Sequence, residues 1–250
     1  MGCLRWGFLV MLMMLAWPSA AMSTISTWGD FGTGEGQFMM IGGIAVDSVG
    51  NVYVVDIPRP GSETGGRVQK FTNTGVFISE WGSPGAGDGQ FSRPSGVAVD
   101  SSNRVYVADR SNQRIQRFDS SGGFQISWGV GGDVLGVGLL GSGSVYVTHA
   151  GHGVQRYDSD GNPLGSWGGL GAGNGQFNFG GTYSTPAVDA AGNVYASDAG
   201  NDRVQKFDAD GTFILKWGSP QFGDFDPSTV AVGPDGAVYV PIGSGGLATV

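Results

Sequence analysis

The sequence predicts an all-β fold, a β-propeller of four-stranded antiparallel blades, and three observations carry that expectation. A strand-like segment returns five times, as Asn51-Val-Tyr-Val54, Arg104-Val-Tyr-Val107, Ser144-Val-Tyr-Val147, Asn193-Val-Tyr-Ala196 and Ala237-Val-Tyr-Val240. A Trp-Gly pair returns with it, at Trp28, Trp81, Trp128, Trp167 and Trp217. The repeated tyrosines, at 53, 106, 146, 195 and 239, have the spacing of small antiparallel sheets arranged radially. The 48 glycines in 250 residues stand at set offsets from these Val, Tyr and Trp positions, where short hairpins need positive φ.

From the N-terminus, residues 1–21 read as an export signal. A single cation, Arg5, precedes an apolar run from Trp6 to Trp17, and Pro18-Ser19-Ala20-Ala21 suits cleavage after Ala21. The expected location is therefore secreted, periplasmic or cell-envelope. The apolar run is shorter than the roughly 20 residues a bilayer span takes, so no membrane span is expected in the mature chain. Cys3 is the single cysteine and lies inside the signal, which leaves the mature chain without a disulfide.

Repeat units are expected at about 39–81, 92–128, 134–167, 178–217 and 226–250. In the clearest unit four strand-like segments succeed one another: Gly96-Val-Ala-Val-Asp100, Arg104-Val-Tyr-Val-Ala-Asp109, Arg114-Ile-Gln-Arg-Phe118 and Phe124-Gln-Ile-Ser-Trp128. The first is nearly all apolar, as an inner strand covered on both faces should be. The fifth unit departs from the pattern after Val240. The segment Ile25–Trp28 reads as a lone fourth strand that would close the ring against the C-terminal strands and hide sheet edges. Five repeats are present, in a five-bladed ring or part of a six-bladed one.

Those segments resemble the NHL repeat, whose pattern is carried by Pro94-x-Gly96-Val-Ala-Val-Asp100, Arg104-Val-Tyr-Val-Ala-Asp109 and Asn112-x-Arg114-Ile-Gln-Arg-Phe118, and again by Gly200-Asn201-x-Arg203-Val-Gln-Lys-Phe207. The resemblance implies a propeller that binds proteins, RNA or glycans more often than one that catalyses a particular reaction. Charge argues against nucleic acid, because 13 Lys and Arg face 21 Asp and Glu and the cations are spread one or two per unit. The expected partner is a protein, peptide or glycan.

After the Tyr strand, successive units place Asp56, Asp109, His149, Asp198 and Ile242, and the cation that follows is Arg67, Arg114, Gly153 and Arg203 in the first four. Asp and Arg occur together and are lost together, which points to a paired role: the Asp caps a turn and bonds the Arg of the next strand, with ligand binding by this polar ring as the alternative. A second carboxylate set, Asp47, Asp100 and Asp189, ends the inner strand and suits turn capping, with Ca²⁺ in a central channel as the alternative. Gly-x-Gly-Gln-Phe at 34–38, 87–91 and 173–177 reads as the connection between blades.

No cofactor is required, although zinc or calcium has candidate ligands. The only two histidines, His149 and His152, share one loop of the third unit and could hold zinc with Asp109 or Asp198. Some propellers of this broad kind resemble peptidyl-amidoglycolate lyases, which implies a metal-dependent lyase or hydrolase as the alternative to a non-catalytic binding scaffold. Binding specificity is expected where the units differ. The first unit inserts residues 57–66, with Arg59 and Glu63, and the fourth lengthens its leading loop at 178–183, where Phe179 and Tyr183 are expected to be exposed.

Overall fold

The computed structural model describes residues 27–57, 65–141, 143–151, 153–180, 183–218, 227–242 and 246–249. Regular structure among them is β, apart from a 3-10 turn at Ala199–Asn201. No helix among them is long and apolar enough to cross a membrane. The proposed leader at 1–21, Ile25, Arg59, Glu63 and His152 lie outside the described residues.

The strands follow the repeats. A short parallel pair, β1 (Asp30–Phe31) with β2 (Gln37–Phe38), leads into the first blade, β3 (Ile41–Val46), β4 (Val52–Asp56), β5 (Arg67–Phe71) and β6 (Phe77–Trp81). A second parallel pair, β7 (Ser83–Pro84) with β8 (Gln90–Phe91), leads into the second blade, β9 (Pro94–Val99), β10 (Val105–Asp109), β11 (Arg114–Phe118) and β12 (Phe124–Gly129). The third blade is β13 (Val134–Leu140), β14 (Ser144–His149), β15 (Gly153–Tyr157) and β16 (Pro163–Gly168). The fourth is β17 (Ala187–Val188), β18 (Val194–Asp198), β19 (Arg203–Phe207) and β20 (Phe213–Gly218). The fifth sheet has three strands, β21 (Ala231–Val232), β22 (Val238–Ile242) and β23 (Gly246–Thr249). Although Gly246–Thr249 carries none of the Arg-Val-Gln-Lys-Phe pattern, it pairs with β22 as a third strand.

Within each blade successive strands are antiparallel neighbours, so the two ends of a blade differ. One end carries the turns joining first to second and third to fourth strands. The other carries the loop between second and third strands together with the connection to the next blade. The inner strands β3, β9, β13, β17 and β21 are neighbours in that order, and no sheet closes on itself. Glycine is required where they meet: a Cβ on Gly43 would stand 3.0 Å from the Cα of Gly96, and one on Gly136 would stand 2.5 Å from that of Thr185.

The core lies between blades. Tyr53, Val55 and Val68 of the first pack on Phe91, Val97, Val105, Val107 and Phe118 of the second. Tyr106, Ala108 and Ile115 pack in the same way on the third blade, Tyr146 and Val154 on the fourth, and Tyr195 and Val204 on the fifth. Burying each such ring contributes about 2–3 kcal/mol, which is why the Tyr and Trp repeat so regularly. The Trp of each of the first three blades reaches forward onto a turn glycine of the next: Trp81 onto Gly122, Trp128 onto Gly161 and Trp167 onto Gly211. Trp28 lies over Gly75 of the first blade in the same way and packs on Phe71 at 4.6 Å. It thus fills the place of a preceding blade's outer-strand Trp, although residues 27–29 are not part of a strand.

Candidate functional site

The second blade shows how the polar ring is built. Asp109 ends β10 opposite Arg114 at the start of β11, and the two are paired in register. Its carboxylate is fully buried and accepts from Ser92 N–H (2.8 Å), Asn112 Nδ2 (2.8 Å), Arg114 Nε (2.8 Å) and Gln116 Nε2 (3.1 Å). Arg114 then donates to the carbonyls of Gly87 and Gln90, and Gln116 donates to Gln90 O while accepting from Gly89 N–H. The side chains therefore clasp the backbone of the Gly-x-Gly-Gln-Phe connection, and Phe91 of that connection is plugged into the core.

The first and fourth blades repeat the clasp. Asp56 accepts from Met39 N–H (2.8 Å) and Arg67 Nε (3.1 Å), Arg67 holds Gly34 O and Gln37 O, and Gln69 holds Gln37 O. Burial pushes the Asp56 carboxyl up, against the lowering pull of the Met39 N–H and Arg67. Asp198 accepts from Asn178 N–H and Arg203 Nε at 2.6 Å each, Arg203 holds Gly173 O and Gln176 O, and Gln205 completes the set. Asp56, Asp109 and Asp198 are thus held by backbone and arginine of their own chain. Sequence reasoning found the Asp and Arg but missed Gln69, Gln116 and Gln205, which are all buried. The available signal was the recurrence of Gln two residues after Arg67, Arg114 and Arg203 alongside Gly-x-Gly-Gln-Phe.

The inner-strand carboxylates are also satisfied locally. Asp47 accepts from Val49 and Asn51 N–H, Asn51 Nδ2 and Tyr53 Oη; Asp189 accepts the equivalent four. Burial opposes ionisation at both, yet these donors hold the two carboxyls below the ordinary value. Asp100 is bonded to Arg104 Nε at 2.6 Å and to Tyr106 Oη at 3.2 Å.

Of the candidate zinc ligands, His152 lies outside the described residues and the other three have partners elsewhere. Asp109 and Asp198 are held by Arg114 and Arg203, and His149 Nδ1 accepts from Gly151 N–H at 3.1 Å. Among the described residues there is no group of three or more His, Cys, Asp or Glu placed to share a metal ion.

One expectation for the fourth blade is corrected. Phe179 is not displayed to solvent: it is 1% exposed and stacks on Phe177 at 5.0 Å and 22°, inside the core between the third and fourth blades. The loop turns inward because Asp198 captures Asn178 N–H and Asn178 O accepts from Gly200 N–H (2.7 Å), which leaves Phe179 facing the sheet. Tyr183 is half-buried and packs on the core of the first two blades, with the Arg110 guanidinium 5.2 Å above its ring.

The clasped connections present apolar side chains to solvent beside their carboxylates. Three residues after Trp28, Trp81 and Trp167 stand Phe31, Pro84 and Leu170; Phe31 and Leu170 are each 68% exposed and Pro84 is exposed. Between the first two connections, over the first blade, lies a cleft of about 750 Å³ whose lining includes Phe31, Met39, Ile57 and Pro84. Its floor includes Asp56 and Arg67 of the clasp.

Residues 91–118 match the NHL repeat family. Protein lin-41 of Caenorhabditis elegans is 38% identical over 79 residues, 30% of this chain and 7% of that protein. Protein brain tumor of Drosophila melanogaster is 44% identical over 54 residues, 22% and 5% respectively. NHL repeat-containing protein 3 of Mus musculus is 33% identical over 104 residues, 41% and 29%. This chain spans less than a third of the length of each of these relatives. Among solved structures, a streptogramin B lyase is similar at TM-score 0.59 and 12% identity, over 84% of this chain and 68% of that one. A catalytically inactive virginiamycin B lyase from Staphylococcus aureus with quinupristin is similar at TM-score 0.60 and 15% identity, over 84% and 69%. At these identities the likeness is one of fold.

Proposed function

We propose that this chain, an NHL-repeat β-propeller, is an exported, non-catalytic binding scaffold that presents the face carrying its blade connections to a protein partner. The observation that carries the reading is the clasp. Buried Asp and Gln, with largely buried Arg, hold the backbone of three glycine-rich connections, which carries Phe31, Pro84 and Leu170 into water. Apolar side chains carried on a fixed backbone at periodic positions of one face lose less freedom when a partner covers them than those of a mobile loop. Val49 and Val76 are also exposed, in turns at the opposite end of the first blade, and serve as controls. Support for export comes from residues 1–21, and support for a protein rather than nucleic-acid partner comes from the net charge of −8.

The test compares faces. Purified protein immobilised at one defined site is used to capture partners from a cell-envelope or secreted fraction, as wild type, as Phe31→Ser with Leu170→Ser, and as Val49→Ser with Val76→Ser. Loss of the same captured band in the first pair alone supports the reading; equal loss in both pairs, or none, overturns it. The lyase alternative draws on the names of the structural neighbours and on His149 with His152. Stoichiometric zinc in purified protein that disappears in His149→Ala would favour it over the scaffold.

A further inference from the structure

The cleft over the first blade has a chemistry of its own. Its floor is already neutralised: Arg67 spends Nε on Asp56, one terminal nitrogen on Glu80 (2.7 Å) and the other on the carbonyls of Gly34 and Gln37 (2.9 Å each). Asp56 is in turn filled by Arg67 and the N–H groups of Met39 and Met40. An ionic group of a ligand placed on this floor would lose its hydration with no vacant partner to meet it. Apolar contact with Phe31, Met39, Ile57 and Pro84 is what the interior offers.

The two described connections that flank the cleft carry one sign of charge. The two connections, residues 29–38 and 82–91, hold Asp30, Glu35 and Asp88 and no Lys or Arg. All three carboxylates are exposed. Glu80, with its side chain 41% exposed, adds a fourth acid beside Arg67. A cation approaching this rim is attracted, while an anion is repelled by every exposed group on both connections. A volume of about 750 Å³ accommodates a few side chains of an extended segment.

From this placement, and resting on the scaffold reading above, we infer that the cleft receives a cationic segment of a partner protein. An apolar side chain of that segment seats between Phe31, Met39, Ile57 and Pro84, and flanking Lys or Arg residues face Asp30 and Glu35. The acidic rim speeds encounter and selects sign, and burial of the apolar anchor supplies the affinity.

Fluorescence polarisation with two labelled hexapeptides tests this, one with Leu-Phe flanked on each side by two lysines and one with the same core flanked by glutamates. At about 20 mM salt the lysine peptide is expected to bind at least about ten-fold more tightly than the glutamate peptide, and to weaken several-fold at about 200 mM salt. Phe31→Ser is expected to weaken it by about five-fold or more, from the loss of one buried ring, and Glu35→Lys by a few-fold. Val49→Ser, in a turn at the opposite end of the first blade, leaves binding unchanged, and circular dichroism verifies that each variant is folded. Equal binding of both peptides, indifference to Phe31→Ser, or equal sensitivity to Val49→Ser would overturn the inference. If Phe31→Ser leaves the peptide unaffected while the face variants still lose partner capture, the cleft assignment fails and the scaffold reading stands.

Discussion

In the second blade Asp109, Arg114 and Gln116 hold a ten-residue connection, 82–91; in the third blade His149, Gly153 and Gln155 stand at the same register beneath only residues 130–133. Arg114 has two loop carbonyls to bind. In the third blade Gln155 keeps its place but accepts instead from Tyr157 Oη, and Ala150 N–H bonds Asp133 O (2.9 Å) of the short connection. The joint loss of Asp and Arg there follows from the loss of the loop they hold. The difference teaches that the polar ring belongs to the connections, and that a histidine in the third blade occupies a position released from that duty.

The sharpest way to break this comparison is Asp109→Ala against His149→Ala. The first strands the Arg114 guanidinium, Gln116, Asn112 and Ser92 N–H around a buried void and is expected to cost about 3–5 kcal/mol in urea unfolding. The second should cost less than about 1 kcal/mol. Similar costs would mean the carboxylate is not what holds the connection.

A smaller effect sharpens the comparison by finding where the two blades agree. Gly122 has φ +91° and a Cβ there would lie 2.7 Å from the Trp81 ring; Gly161 has φ +83° and meets Trp128 at 2.6 Å. Alanine at either should lower stability equally, by roughly 2–3 kcal/mol, through positive-φ strain and displacement of the indole. Gly131→Ala, with φ +81° and nothing within 4 Å, should show the strain alone, about 1 kcal/mol. Matching losses at Gly122 and Gly161 would confine the third blade's departure to the clasp.

The smallest effect concerns pH. Asp47 and Asp189, despite burial, are held below the ordinary carboxyl value of 3.8 by their turn donors, and so are Asp119 through Ser121, Asp158 through Asn162 and Asp208 through the Thr212 N–H. A carboxyl lowered by folding gives stability that is fully present above its unfolded value and is lost as pH falls through its folded value. The thermal midpoint should therefore stay level from pH 7 to about 5 and drop below about 4. Asp56, raised by burial, takes up its proton earlier and works in the opposite direction. Asp189→Asn should flatten the acid limb while costing about 1 kcal/mol at neutral pH. An unchanged limb would show that the turn carboxylates do not govern acid unfolding.

A further contrast, between first and second blades, bears on what the repeat pattern could convey. Val97 of β9 is 4% exposed against the first blade, whereas Ile44 at the corresponding place of β3 is 36% exposed. The sequences are equally apolar, and only position in the array separates them. Phe179 makes the same point from the other side. It looked like a loop aromatic until Asp198 captured Asn178 N–H and turned the ring onto Phe177. The partners of Asp109 and Arg114 within their hairpin were legible, because antiparallel register places them opposite each other. Their grip on residues 87–90 was not, because it joins groups more than twenty positions apart through backbone carbonyls that carry no sequence signal.

Periodicity alone decided the repeat, the four strands of each full blade, the Tyr and Trp that fill the spaces between blades and the glycines of the hairpin turns. These follow from local alternation and from the need to bury one face of each sheet against an identical neighbour. Tertiary structure decided which carboxylates were consumed, which aromatics turned inward and which side chains remained in water beside the first blade. Those outcomes depend on loops from different blades arriving at one end of the molecule, and distance along the chain does not encode proximity across the array.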